Sequence, residues 1–171
     1  MTDKIQNTHT SSFSGRIFLP VFYSLMATLL IPATVWYIFT SSAIYDIIGG
    51  LVFFVLLTVI WIVFVWGELR LKAVRIYFRE DAIECIPFLG WGRKTSYSRN
   101  QITGYKIMLE PALPLPYESI ILVSHEKELL QISQFYFRNY EPMKSLIKNS
   151  FDDLGREKFS TWKAFANIFK N

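Results

Sequence analysis

Few side chains in this chain are of the kinds that do chemistry, and their spacing assembles no familiar reaction centre. Cys85 is the only cysteine, which rules out an internal disulfide and a cysteine-rich metal site. In its apolar surroundings it reads as a small hydrophobe facing a sheet interior. The two histidines, His9 and His125, argue against a histidine-based zinc site. His9 stands in a polar leader, where a solvated role is expected, and His125 sits in a charged turn with no Ser or Asp arranged to make it a base. Glu68 reads as a solvated or Arg70-paired carboxylate, with no second carboxylate placed to work with it. A nucleophile with its base, a Gly-rich phosphate loop and metal-ligand spacing are missing too. The expectation is a non-enzymatic protein with no cofactor, no metal and no nucleic-acid partner.

What the chain does carry is cations beside aromatics. Arg16 precedes one apolar stretch, while Arg70, Lys72 and Arg75, with Arg79 beyond, follow another. Cations so placed can snorkel to phosphate headgroups or hold a domain against anionic lipid, at about 1 kcal/mol each near the surface. Membrane topology alone already explains them, and that is the favoured reading. Trp91 stands between Gly90 and Gly92 with Phe88, Leu89, Arg93 and Lys94 beside it; an aromatic tip flanked by cations suits headgroup contact, and the alternative is a Trp91 folded back on its own domain. Near the end, Phe159, Trp162, Phe165, Ala166 and Phe169 recur at helical spacing, with Arg156, Lys158, Lys163 and Lys170 around the other side. Such a segment is either an interfacial amphipathic helix, with Trp162 and Lys163 at the lipid, or a helix packed on the domain. Pro111 and Pro114 have PxxP spacing, which occurs once and is a weak partner motif.

The elements that hold these residues begin with residues 47–66, IIGGLVFFVLLTVIWIVFVW, which contain no ionisable side chain. An α-helix of about twenty residues spans ~30 Å of hydrocarbon. Residues 17–40 form a second candidate span, with Pro20 in its opening turn and Pro32 deeper, where a kink that frees the Thr28 carbonyl is expected. Its apolar run is longer than the 7–15 residues, roughly, of a signal peptide and ends in Trp36, Tyr37 and Phe39, which favours a retained helix. The short link SSAIYD forces an antiparallel hairpin. Trp36, Tyr37 and Tyr45 then belt one end and Trp61 and Trp66 the other. Gly49 and Gly50 are candidates for the helix–helix interface opposite Ser24, Ala27 or Thr28, or they merely loosen the helix start.

Orientation follows from the charges. From Ile17 to Trp66 the one charge is Asp46, whereas from Glu68 onward sixteen Lys and Arg face twelve Asp and Glu, so the net +4 lies beyond the hairpin. The link carries no Lys or Arg, and the positive-inside bias places both termini in the cytoplasm of a multi-pass inner-membrane protein.

After Val74 the apolar period changes to two. VRIYFR, AIECIPFL and residues 94–99 and 102–109 read as four strands, and SIILV and LLQI as two more. From Tyr140 to Leu154 the period is 3.6, with Asn139 as N-cap and Gly155 as stop. Six antiparallel strands and one helix suggest a small bent sheet or barrel plugged by that helix. The domains expected are a flexible leader (1–16), a two-helix transmembrane hairpin (17–68), an α+β domain (69–155) and an amphipathic tail (156–171).

The helix pair, then VRIYFREDAIECI, GWGRKTSYSRNQITGYKI, SIILVSHEKELLQI and NYEPMKSLIKNSF, resembles the bacterial pleckstrin-homology-like membrane proteins of the YcxB-like type, over roughly residues 17–155. The resemblance implies a PH-like barrel capped by a C-terminal helix. It speaks for a fold more than an activity, because such barrels are mostly interaction and lipid-proximal modules. Phosphoinositide-binding PH domains place several cations in the first hairpin loop; here that turn is Arg79-Glu80-Asp81, so inositol-lipid binding is not implied. The function expected is an inner-membrane protein presenting a cytoplasmic PH-like module to a protein partner or to local lipid. The alternative is a small membrane-bound regulator or immunity-type inhibitor of a membrane-associated effector. The partner's identity and the oligomeric state are not legible.

Overall fold

The computed structural model describes residues 9–112, 115–125 and 127–168. Two long helices, α1 (Phe18–Thr40) and α2 (Ile44–Ile62), pack against each other as an antiparallel hairpin. Both are long and apolar enough to cross a membrane, and only 22% of the first and 11% of the second is covered by the chain itself. A core helix of a water-soluble protein would be covered by its own neighbours. Hydroxyls inside the hairpin are satisfied within their own helices: Ser24, Thr28, Thr34 and Thr58 each donate to the carbonyl four residues back. Thr28 also accepts a bond from Trp61 Nε1 at 2.9 Å, a polar tie between the helices. Helix α1 continues through Pro32.

Of the two glycines proposed for the interface, the structure uses one. A side chain on Gly50 would begin 2.6 Å from Ile38, whereas nothing lies within 4 Å of Gly49. Gly50 faces Tyr37 and Ile38 rather than Ser24, Ala27 or Thr28. In an antiparallel pair with so short a link, residue 50 can only meet the last turns of α1.

Beyond Ile62 the helix loosens into wider i→i+5 bonding over Val63–Leu69 and then enters the head. Among the described residues, eight strands form two four-stranded sheets rather than a closed barrel. The first sheet is ordered β1 (His9–Thr10), β2 (Arg75–Phe78), β3 (Ala82–Ile86), β4 (Thr95–Ser98). The second is ordered β7 (Lys127–Ser133), β6 (Tyr117–Ser124), β5 (Gly104–Glu110), β8 (Asp153–Glu157). One core joins them, with Ile76, Ile83, Ile120, Leu122 and Ile132 buried alongside Met143 and Ile147 of α3 (Tyr140–Ser150). Burying each such side chain contributes about 1.5–3 kcal/mol. Cys85 lies in this core, and burial pushes its thiol pKa up to about 11.

Three boundaries differ from the sequence reading. The described part of the leader is tied to the head: β1 pairs with β2, and Ser14 N–H donates to Tyr136 O at 2.8 Å; residues 1–8 lie outside the described residues. Helix α3 ends at Ser150, and Gly155, with φ +91°, sits within β8, which pairs parallel to β5. That approach depends on Gly104, where a side chain would begin 2.5 Å from the Asp152 carbonyl. Asn139 occupies the N-cap position without capping: its Nδ2 donates to Thr10 O at 2.9 Å and its Oδ1 accepts from Ser12 N–H at 2.7 Å. The competing backbone of residues 10–12 takes the side chain. Pro114 of the PxxP motif lies outside the described residues.

Candidate functional site at the joint between hairpin and head

The densest polar cluster sits where the second long helix enters the head. Strand alternation puts Glu110 on β5, Tyr117 and Ser119 on β6 and Gln131 on β7 on the face of the second sheet turned away from the core. Glu110, 2% exposed, accepts from Lys72 Nζ at 2.7 Å, Gln131 Nε2 at 2.6 Å, Tyr117 Oη at 3.1 Å and Ser119 Oγ. Lys72 also reaches Glu68 at 3.2 Å, and the other Glu68 oxygen accepts from Tyr136 Oη. One lysine thus stands between two glutamates, and both Glu110 oxygens are filled.

The expectation of a solvated or Arg70-paired Glu68 is corrected here: its cation is Lys72, and a second carboxylate shares that cation. Lys72, read as a lipid-facing cation, has its ammonium turned inward, with 13% of the side chain exposed. In sequence it is indistinguishable from its arginine neighbours. Burial works to strip its proton, but the charges of Glu68 and Glu110 outweigh that and hold its pKa above the ordinary lysine range. Burial, with nearby Glu68 for Tyr136 and Glu110 for Tyr117, raises both phenols. A lysine that keeps its proton is neither base nor nucleophile. Chemically the cluster is a fixed ionic joint, its donors locked as donors.

The other face of the joint carries aromatics. Trp66, 41% exposed, lies edge-on to Phe88 with ring centroids 6.4 Å apart, and the Arg70 guanidinium stands 5.1 Å over the Trp66 ring. Trp91 is 93% exposed, so it does not fold back on the head. Arg75 and Arg93 are exposed, whereas Lys94 binds Glu84 at 2.8 Å, a carboxylate that Arg79 also holds at 3.0 Å. Arg16 sits 5.8 Å over the Phe135 ring.

The tail folds as α4 (Thr161–Ile168), against the Val63–Leu69 turn. Lys163 binds Glu157 of β8 and Glu128 of β7, and Asn167 Nδ2 donates to Glu128 at 3.0 Å. Of the two readings of the tail, packing on the head is the one found for Lys163; Trp162 is 79% exposed. Phe169 and Lys170 lie outside the described residues. Among the described residues no three His, Cys, Asp or Glu side chains converge as metal ligands would.

No protein-family model matches the chain, and neither a curated protein nor a solved structure is similar to it.

Proposed function

We propose that this is a membrane-anchored presenting module: the hairpin crosses the inner membrane with both termini cytoplasmic, and the head is held in one orientation for a protein partner. The observation that carries the reading is the Lys72 joint. A head on a flexible linker would need no buried ionic tie to its anchor, whereas Glu68 and Lys72 at the helix end bind Glu110 on the sheet and Tyr136 beyond it. Exposed apolar surface along both helices and aromatics at both ends of the hairpin support the membrane part: Trp36 and Tyr45 are 73% and 84% exposed at one end, and Trp66 is 41% exposed at the other. Two sheets sharing one core with α3, which follows β7, support a PH-like reading of the head.

Chemical crosslinking and mass spectrometry in native membranes test the function, comparing wild type with Lys72→Met. Presentation predicts a partner crosslinked to head residues in the wild type and lost when the joint is opened while the protein stays in the membrane fraction. Crosslinks indifferent to the joint, or none from the head, would overturn it. A cytoplasm-dependent reporter should be active at either terminus.

A further inference from the structure

We propose that the β3–β4 tip, centred on Trp91, docks into the headgroup layer of the same bilayer that the hairpin spans, with anionic phospholipid as its partner. The proposal rests on the membrane reading above and names a contact that reading leaves open. Three observations converge on it. The tip is continuous with the membrane end of α2, because Phe88 lies against Trp66, the residue that closes the apolar stretch. Tryptophan ring edges favour the boundary between hydrocarbon and headgroups.

The backbone is also bent to hold Trp91 outward. Phe88 and Leu89 have φ of 51° and 62°, a region bulky side chains avoid, and Gly90 follows at 101°. The turn is pinned by Leu89 N–H to Ala73 O at 2.7 Å and Gly92 N–H to Pro87 O at 2.9 Å, while the Leu89 side chain packs against the core. Such strain persists only where ties hold it in place, and the indole beyond this turn is 93% exposed.

Charge supplies the third argument. Arg93 is exposed beside Trp91, and Arg75 runs along Gly90 with its Nε 3.2 Å from where a side chain there would begin. Arg70 stands over Trp66. Three guanidiniums around two tryptophans match a layer of phosphates, and each cation close to an anionic surface strengthens attachment about fivefold.

The test uses full-length protein carrying fluorine-labelled tryptophan in lipid nanodiscs, with the Trp91 resonance assigned by its loss in Trp91→Phe. Spin-labelled lipid should broaden the Trp91 signal more than a soluble gadolinium chelate does. The lipid effect should be larger in discs containing phosphatidylglycerol than in pure phosphatidylcholine, and should shrink in Arg75→Gln/Arg93→Gln. A Trp91 signal broadened by the chelate and spared by the lipid label overturns the docking. Equal broadening in both disc types overturns the anionic-lipid assignment. Trp36 and Trp66 separate the premises: if they respond to the lipid label and Trp91 does not, only the docking fails; if they too escape it, the membrane reading fails.

Discussion

Two ionic clusters in the head are mirror images in composition and opposites in setting. At the joint, one cation, Lys72, stands between two carboxylates, with side-chain exposures of 13% for Lys72 and 2% for Glu110. Across the first sheet, one carboxylate, Glu84, stands between two cations, Arg79 and Lys94; its own side chain is 11% exposed, but the cations are each 50% exposed. At the joint each charge left without its partner has little water to turn to, so the neutral donors Tyr117, Ser119, Gln131 and Tyr136 are needed as well. At the first sheet water and salt reach the half-exposed cations, which screens their attraction to Glu84, and either cation can hold the carboxylate when the other is lost. The joint is thus buried on the side of its cation and of Glu110, whereas Glu84 is a covered carboxylate held by cations that stay half in water.

The comparison is broken most sharply by Glu110→Ala. Removing it leaves Lys72 buried beside three displaced donors, Tyr117, Ser119 and Gln131, and loss of one partner of a buried pair costs about 3–5 kcal/mol. Denaturant unfolding of the purified protein should show that loss, and a midpoint unchanged from wild type would place the joint with the surface cluster. Lys72→Arg keeps the charge but forces a wider, planar group into the same space, for which overpacking by about 1–3 kcal/mol is expected. The same unfolding experiment ranks it below Glu110→Ala.

The clusters should also fail at opposite ends of the pH scale. The folded pKa of Lys72 lies above its ordinary 10.5, so its contribution is complete below that pH and is lost only as pH rises through the raised value. The hydrogen bond from Lys94, aided by the charge of Arg79, holds the Glu84 pKa below its ordinary 4.5. Its contribution is present above that pH and lost as pH falls through the lowered value. The stability difference between wild type and Lys72→Met should accordingly stay level across neutral pH and decline in strong alkali; a difference already lost near the ordinary lysine pKa would contradict the assignment. The smallest effect is expected from Lys94→Gln, whose unfolding midpoint at neutral pH should be indistinguishable from wild type.

How much could be read without coordinates depended on how local each signal was. The hairpin was legible because a helix of unbroken apolar residues is a property of one stretch, as are strands β2 to β7, which are marked by local alternation, as in β2, by short apolar runs, as in β3 and β6, or by the turn residues that bound them. Cys85 was legible as a core residue for the same reason. Strand β8 was not, since Asp153, Leu154 and Arg156 are exposed and only the bare backbone of Gly104 opposite lets them dock. Asn139 looked like a cap because its backbone position is one; its side chain went to residues 10–12, more than 120 positions away.

From the order of residues alone came the two long apolar helices, the short link that folds them together, the six central strands and the placing of the net charge beyond the hairpin. The tertiary structure alone decided that Lys72 points inward while Arg75 points out, that Trp91 stands clear of the head, and that Lys163 clamps two strands. The physical reason is reach. Periodicity is written between neighbours three or four residues apart, as is the Glu68–Lys72 pair, whereas the other half of the field that fixes Lys72 comes from Glu110, 38 residues further on, and exists only once the sheet has brought that carboxylate beside the helix.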